Sequence, residues 1–174
     1  MNDVVTETKN NDGDEGAEQA APHLQLIVLC GLQAAGKSTF YRKYFAQTHV
    51  LVSKDLLGNN KRPAVRQRQL LGEALQGGRS VVVDNTNVTR AERAELVGLG
   101  KEYEAEVMCY YFPLDVKRSL EQNRQRSGKA RVPDVALFAS RKRFEVPEWD
   151  EGFDRFYTVG IVEGGEFAVA LVDH

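Results

Sequence analysis

The sequence predicts an α/β domain whose central parallel sheet is flanked by helices and ends in a β-hairpin at one edge. Three observations predict it. Short apolar runs alternate with longer helix-forming segments, the pattern of a parallel sheet built from strand–helix units. The runs hold almost no polar residues, as strands covered on both faces do. The first run, Leu24 to Cys30, leads straight into Gly31-Leu32-Gln33-Ala34-Ala35-Gly36-Lys37-Ser38, the spacing of a phosphate-binding loop between a strand and a helix.

In chain order, residues 1–21 are rich in Asp, Glu, Asn and Gly and poor in apolar side chains, so a disordered acidic tail is expected, with the domain spanning 22–174. A strand over Leu24 to Cys30 and a helix from Lys37 to about Ala46 bracket the glycine loop. His49 to Val52 is a second strand, with Ser53-Lys54-Asp55 at its C-terminal end. Gly58 to Pro63 has loop composition, and a helix from about Ala64 to Gln76 is stopped by Gly77-Gly78. Ser80 to Val83 is a third strand delivering Asp84-Asn85-Thr86-Asn87. Thr89 followed three residues later by Glu92 is a capping box, which starts a helix over about Arg90 to Lys101. Ala105 to Phe112 is a fourth strand that Pro113 breaks, and a helix begins near Asp115. Pro133-Asp134 opens another, reaching about Phe144. Arg155 to Val162 and Phe167 to Val172 flank the turn Glu163-Gly164-Gly165-Glu166 as a hairpin.

A length of 174 residues fits one domain, and 42% hydrophobic content suffices for a core, so a second catalytic domain of ordinary size has no room. No run of eighteen apolar residues and no charged-then-apolar leader occurs, so a soluble, cytoplasmic protein with no membrane contact is expected. Cys30 and Cys109 sit inside apolar strand runs and read as reduced core residues. The net charge of −2 hides a partition. Six carboxylates against Lys9 fall in residues 1–21, while residues 117–143 hold nine cations against Glu121 and Asp134. Long-range attraction to a polyanion is therefore weak, and local phosphate contacts remain available.

The glycine loop points to ATP. Its amides form a nest for polyphosphate oxygens at a helix N-terminus, so Gly31, Gln33, Ala34, Ala35, Gly36, Lys37, Ser38 and Thr39 are candidate nucleotide-binding residues. Lys37 brings an ammonium to the β- and γ-phosphates, and the Ser38 hydroxyl is a hard oxygen ligand for Mg²⁺. Ligands bind beyond the carboxyl ends of parallel strands, where Asp55 and Asp84 both fall. Asp55 lies in a loop separate from the nucleotide, which suits a general base that meets a second substrate. A turn or cap role is the bland alternative. Asp84, Asn85 and Thr86 suit an acceptor site or metal-bound waters, and equally a turn. Arg124 and Arg126 are candidate γ-phosphate cations. Two residues apart on a continuing helix they would diverge, so Arg126, nearer the Gly128 break, is preferred. Trp149, Phe153 and Phe156 read as core aromatics, Arg141 to Arg143 as a solvated helix face or a nucleotide contact, and the three histidines carry no assigned role.

Four stretches in this order resemble the kinase domain of polynucleotide 5′-hydroxyl kinases, including kinase–phosphatase repair enzymes and a phage enzyme: Gly31 to Phe40, Val52 to Gly58, Val83 to Asn87, and Asn123 to Arg126. Ser140 to Pro147 and Glu151-Gly152-Phe153 look like the repair enzymes in particular. The resemblance implies a P-loop kinase fold and transfer of the ATP γ-phosphate to the 5′-hydroxyl of DNA or RNA. Asp55 would be the general base, Lys37 and Ser38 would serve phosphate and Mg²⁺, Asp84 would line the acceptor side, and Arg126 would reach the phosphates from a lid. The phage enzyme carries a substrate-binding Arg three residues after its base, where Gly58 stands here. Two other readings compete: a small-molecule kinase acting on a nucleoside, sugar or antibiotic hydroxyl, and a non-enzymatic ATP-dependent switch or adaptor. Protein partners are not legible.

Overall fold

The computed structural model describes residues 23–174; the expected acidic tail, residues 1–21, lies outside them. Six strands form one sheet: β1 (Gln25–Cys30), β2 (Val50–Val52), β3 (Val81–Asp84), β4 (Glu106–Tyr111), β5 (Arg155–Ile161) and β6 (Phe167–Leu171). Their spatial order is β2-β3-β1-β4-β5-β6. β1 to β5 run parallel, and β6 returns antiparallel to β5. Among the described residues five α-helices join them: α1 (Lys37–Tyr44), α2 (Pro63–Gln76), α3 (Arg90–Glu102), α4 (Val116–Gln125) and α5 (Asp134–Arg143). The expected elements are all present, with ends moved by a residue or two, and the hairpin turn, Glu163–Gly165, takes left-handed backbone at Gly164 (φ 85°) and Gly165 (φ 80°).

β1 is apolar from Leu26 to Cys30, where both of its faces are covered. Leu26, Val28 and Cys30 share one core with Leu71 and Leu75 of α2 and Leu96, Val97 and Leu99 of α3. Ile27 and Leu29 share the other with Phe40 of α1, Val82, Met108 and Phe112. Phe40 is 1% exposed and its ring meets Tyr110, Phe112 and Phe167, so α1 is held by one aromatic plug. Phe153 and Phe156 are buried and Trp149 packs partly against them, as core aromatics. Cys30 and Cys109 are buried free thiols.

The helix after β1 lies on one face of the sheet, and the helices around β3 lie on the other. The loops leaving these adjacent strands therefore part, and the crevice between them at the carboxyl ends is where open α/β sheets hold ligands. Among the described residues no helix is long and apolar enough to cross a membrane.

Candidate active site

The glycine loop opens that crevice. Gly31 follows β1 with no room for a side chain: a Cβ there would stand 2.8 Å from the Phe112 Cβ and 3.2 Å from the Phe112 carbonyl. Its N–H donates to the Thr86 carbonyl at 3.1 Å, tying the loop after β1 to the loop after β3. Ala34 (φ 59°) and Gly36 (φ 99°) both take left-handed backbone, which turns successive amides toward one centre and caps α1. Lys37, the first residue of α1, is 6% exposed, and its ammonium donates to the carbonyls of Gly31 (2.8 Å) and Leu32 (2.5 Å). Burial pushes its pKa down to about 8, Arg126 adds to the fall, and Asp84, Cys30 and Asp55 oppose it.

Opposite the loop stand the two carboxylates. Asp84 ends β3, is 8% exposed, and accepts a 2.5 Å hydrogen bond from the Ser38 hydroxyl. This hydroxyl–carboxylate pair beside Lys37 is the hard-oxygen donor set that Mg²⁺ takes, one or two protein oxygens with water and phosphate completing the shell. Among the described residues no cluster of three or more His, Cys, Asp or Glu has the arrangement of an all-protein metal cage. Asp55 is exposed, in a single 3₁₀ turn (Lys54–Leu57) after β2, and its N–H donates to the Ser53 hydroxyl at 3.3 Å. That turn is locked to the β3 loop: the Asn85 side chain accepts from the Lys54 N–H at 2.9 Å and donates to Gln67 of α2 at 2.7 Å.

The third wall is the segment between α4 and α5. α4 ends at Gln125, and Arg126 is already extended (φ −76°, ψ 154°), which turns it away from Arg124. Arg126 faces the crevice, with its guanidinium 3.4 Å from the Ala130 carbonyl, whereas Arg124 pairs with Asp134 at 3.8 Å and is 61% exposed. The result is one cleft of about 680 Å³. Gln33 to Thr39 line it on the phosphate-loop side, Asp55 and Asp84 to Thr86 on the other, and Arg126, Lys129, Ala130 and Val132 lie across it.

Of the two γ-phosphate candidates from sequence, Arg126 lines this cleft and Arg124 stands outside it, and Gly31 contributes through its backbone. Asn85 and Thr86 border the cleft, yet the Asn85 amide and the Thr86 carbonyl already serve the loop's own structure. Arg141, Lys142 and Arg143 are exposed on α5 and do not line it. Arg42, Gln122, Gln125 and Lys129 line it unforeseen. Arg42 was reachable, since it follows Ser38 by one helical turn on the same face. The others depend on how the chain folds back after α4, for which no local signal exists.

A bifunctional polynucleotide phosphatase/kinase of Schizosaccharomyces pombe is 28% identical over 135 residues, covering 75% of this chain and 32% of that protein. An L-seryl-tRNA(Sec) kinase of Methanococcus maripaludis is 27% identical over 145 residues, covering 72% of this chain and 56% of that protein. The chain thus spans between a third and just over half of the length of these relatives. The crystal structure of Chaetomium thermophilum Kti12 in complex with ADP-AlF3 superposes with a TM-score of 0.60 at 19% identity, over 76% of this chain and 87% of that one, and shares its fold. The family AAA_33, described as an AAA domain, matches residues 26–147, most of the chain from β1 through α5, and the chain belongs to that family.

Proposed function

We propose that this chain is an ATP-dependent phosphotransferase whose acceptor alcohol is the 5′-hydroxyl end of DNA or RNA. The single observation behind this reading is the composition of one cleft: phosphate-binding loop and buried ammonium on one side, Asp55 on the other, a guanidinium across the top. The acceptor class draws on the sequence resemblance and on the similarity to the S. pombe phosphatase/kinase.

In the proposed reaction the triphosphate lies along the amides of residues 31–38 with Lys37 against its outer phosphates. Asp55 accepts the proton of the incoming alcohol. As the new O–P bond forms, the bond from the γ-phosphorus to the β–γ bridging oxygen breaks, and ADP carries away the electron pair. The transition state is loose, with charge spread over the equatorial oxygens, so positioning and positive charge do most of the catalysis. Lys37, the loop amides and Arg126 supply that charge. Ser38, with Asp84 behind it, would hold Mg²⁺, which neutralises phosphate charge when bound.

Transfer of label from [γ-³²P]ATP to 5′-OH RNA, 5′-OH DNA, free nucleosides and sugars, with and without Mg²⁺, tests the proposal. Labelled polynucleotide ends, dependent on Mg²⁺, are the expected result. Preference for a monomer makes the chain a small-molecule kinase, and bound ATP without transfer to any alcohol makes it a switch.

A further inference from the structure

The stretch Asn123 to Arg126 contributes one cation to the cleft, and its first residue has a separate place in the fold. Asn123 lies in the last turn of α4 and is completely buried, although the residues on either side of it are exposed. Its side-chain amide donates to the Val132 carbonyl at 2.7 Å, and its side-chain oxygen accepts from the Val132 N–H at 3.1 Å. The same amide is 3.4 Å from the Asp134 carboxylate at the start of α5. Its backbone carbonyl accepts from the Arg126 N–H at 3.1 Å. Both ends of the segment 126–132 therefore meet on one buried residue, while 127–131 between them are exposed.

We infer that Asn123 is a positioning residue: it closes the base of a lid and thereby sets Arg126 over the terminal phosphate. A carboxamide suits the task because it donates and accepts at once, as a peptide group does. Alanine leaves the Val132 N–H and carbonyl without partners, and aspartate satisfies the N–H but sets a carboxylate against a carbonyl and Asp134. Among the described residues Arg126 has no ion pair, and its one side-chain hydrogen bond, to Ala130, lies inside the same loop. The position of its charge over the cleft is thus set through the loop, and the loop's ends through Asn123. With the base open, α4 and α5 no longer hold the two ends together, and the cation loses its fixed distance from the γ-phosphate.

This inference rests on the phosphotransfer reading for the identity of the anion and makes no use of the acceptor. Its test is a double-mutant cycle read by calorimetry with ATP and with ADP, on Asn123→Ala, Arg126→Ala and the pair. Asn123→Ala is expected to weaken ATP about tenfold and ADP less than about twofold, and to change ATP affinity less than about twofold in the Arg126→Ala background. Trypsin should cut the Asn123→Ala protein after Arg126, Lys129 or Arg131 about tenfold faster than the unmodified chain, because cleavage tracks the open population. Equal weakening of ATP and ADP, losses that multiply in the double variant, or unchanged cleavage would each overturn it. Asn123→Asp, which keeps the shape, carries the same cycle if the alanine variant does not fold. Failure to label polynucleotide ends would count against the acceptor assignment alone, since neither readout here uses an acceptor.

Discussion

Raising the pH through 8 should expose the buried ammonium of Lys37 as a coupled group in nucleotide binding. In the free protein, burial lowers its pKa from 10.5 to about 8. That depression corresponds to roughly 3 kcal/mol of penalty on the charged form, at 1.36 kcal/mol per unit. A triphosphate laid against the ammonium supplies several negative charges at hydrogen-bond distance and raises the pKa again. Above about pH 8 the bound state therefore holds a proton that the free state has partly lost. At pH 8 binding should take up about half a proton and at pH 9 close to one, with apparent affinity falling by up to about tenfold per pH unit above 8. Calorimetric titration of ATP in two buffers of different ionisation enthalpy at pH 7, 8 and 9 measures this uptake directly. The same group gives a sign for stability. The unfolded chain holds more protons than the free folded one between about pH 8 and 10.5, so the Lys37 contribution to stability rises with pH across that window and is least below it. No uptake at pH 9, with a Lys37→Met control equally silent, would refute a depressed lysine in contact with the phosphates.

Other consequences are simpler to read. Gly31→Ala drives a Cβ to within 2.8 Å of the Phe112 side chain and 3.2 Å of its backbone, so it should lower stability by about 1–3 kcal/mol in denaturant titration and weaken ATP binding. Arg124→Ala should change turnover less than about threefold, whereas Arg126→Ala should lower it by about a hundredfold or more, since only Arg126 faces the cleft. Steady-state kinetics on the two variants checks this. Glu151→Gln removes half of an ion pair between side chains 0% and 1% exposed, Arg93 and Glu151, joined by two 2.7 Å hydrogen bonds. A loss of about 3–5 kcal/mol is expected, with Arg93 left charged in the core.

What the sequence revealed here follows from what is local. Strand, glycine loop and helix are consecutive, so the phosphate site can be read from one stretch. Asp55 and Asp84 follow their strands directly, and the parallel sheet brings the strand ends together. Arg126 could be preferred over Arg124 because a glycine two residues on signals the end of α4. Beyond that range the signals stop. The reciprocal bonds of Asn123 with Val132 span nine residues, the Arg93–Glu151 pair spans 58, and the bond from Gln33 in the phosphate loop to Ser140 on α5 spans 107. None of these residues looks unusual in its own neighbourhood. Asn85 reads both ways: its polarity suits an acceptor site or a turn, and its side chain borders the cleft while holding the Lys54 amide and Gln67. The order of strands, with β1 between β3 and β4, is likewise invisible to periodicity because every inner strand reads as the same apolar run.

The carboxylate of Asp55 carries the central claim, and Asp55→Asn addresses it with almost no change in shape. With ATP affinity measured by calorimetry and single-turnover transfer to a 5′-OH oligonucleotide measured beside it, nucleotide binding should stay within about twofold of the unmodified chain. Transfer should fall by about a hundredfold or more, the range general-base catalysis supplies. Transfer at an undiminished rate, with binding equally intact, would contradict the assignment of the base and the chemistry built on it.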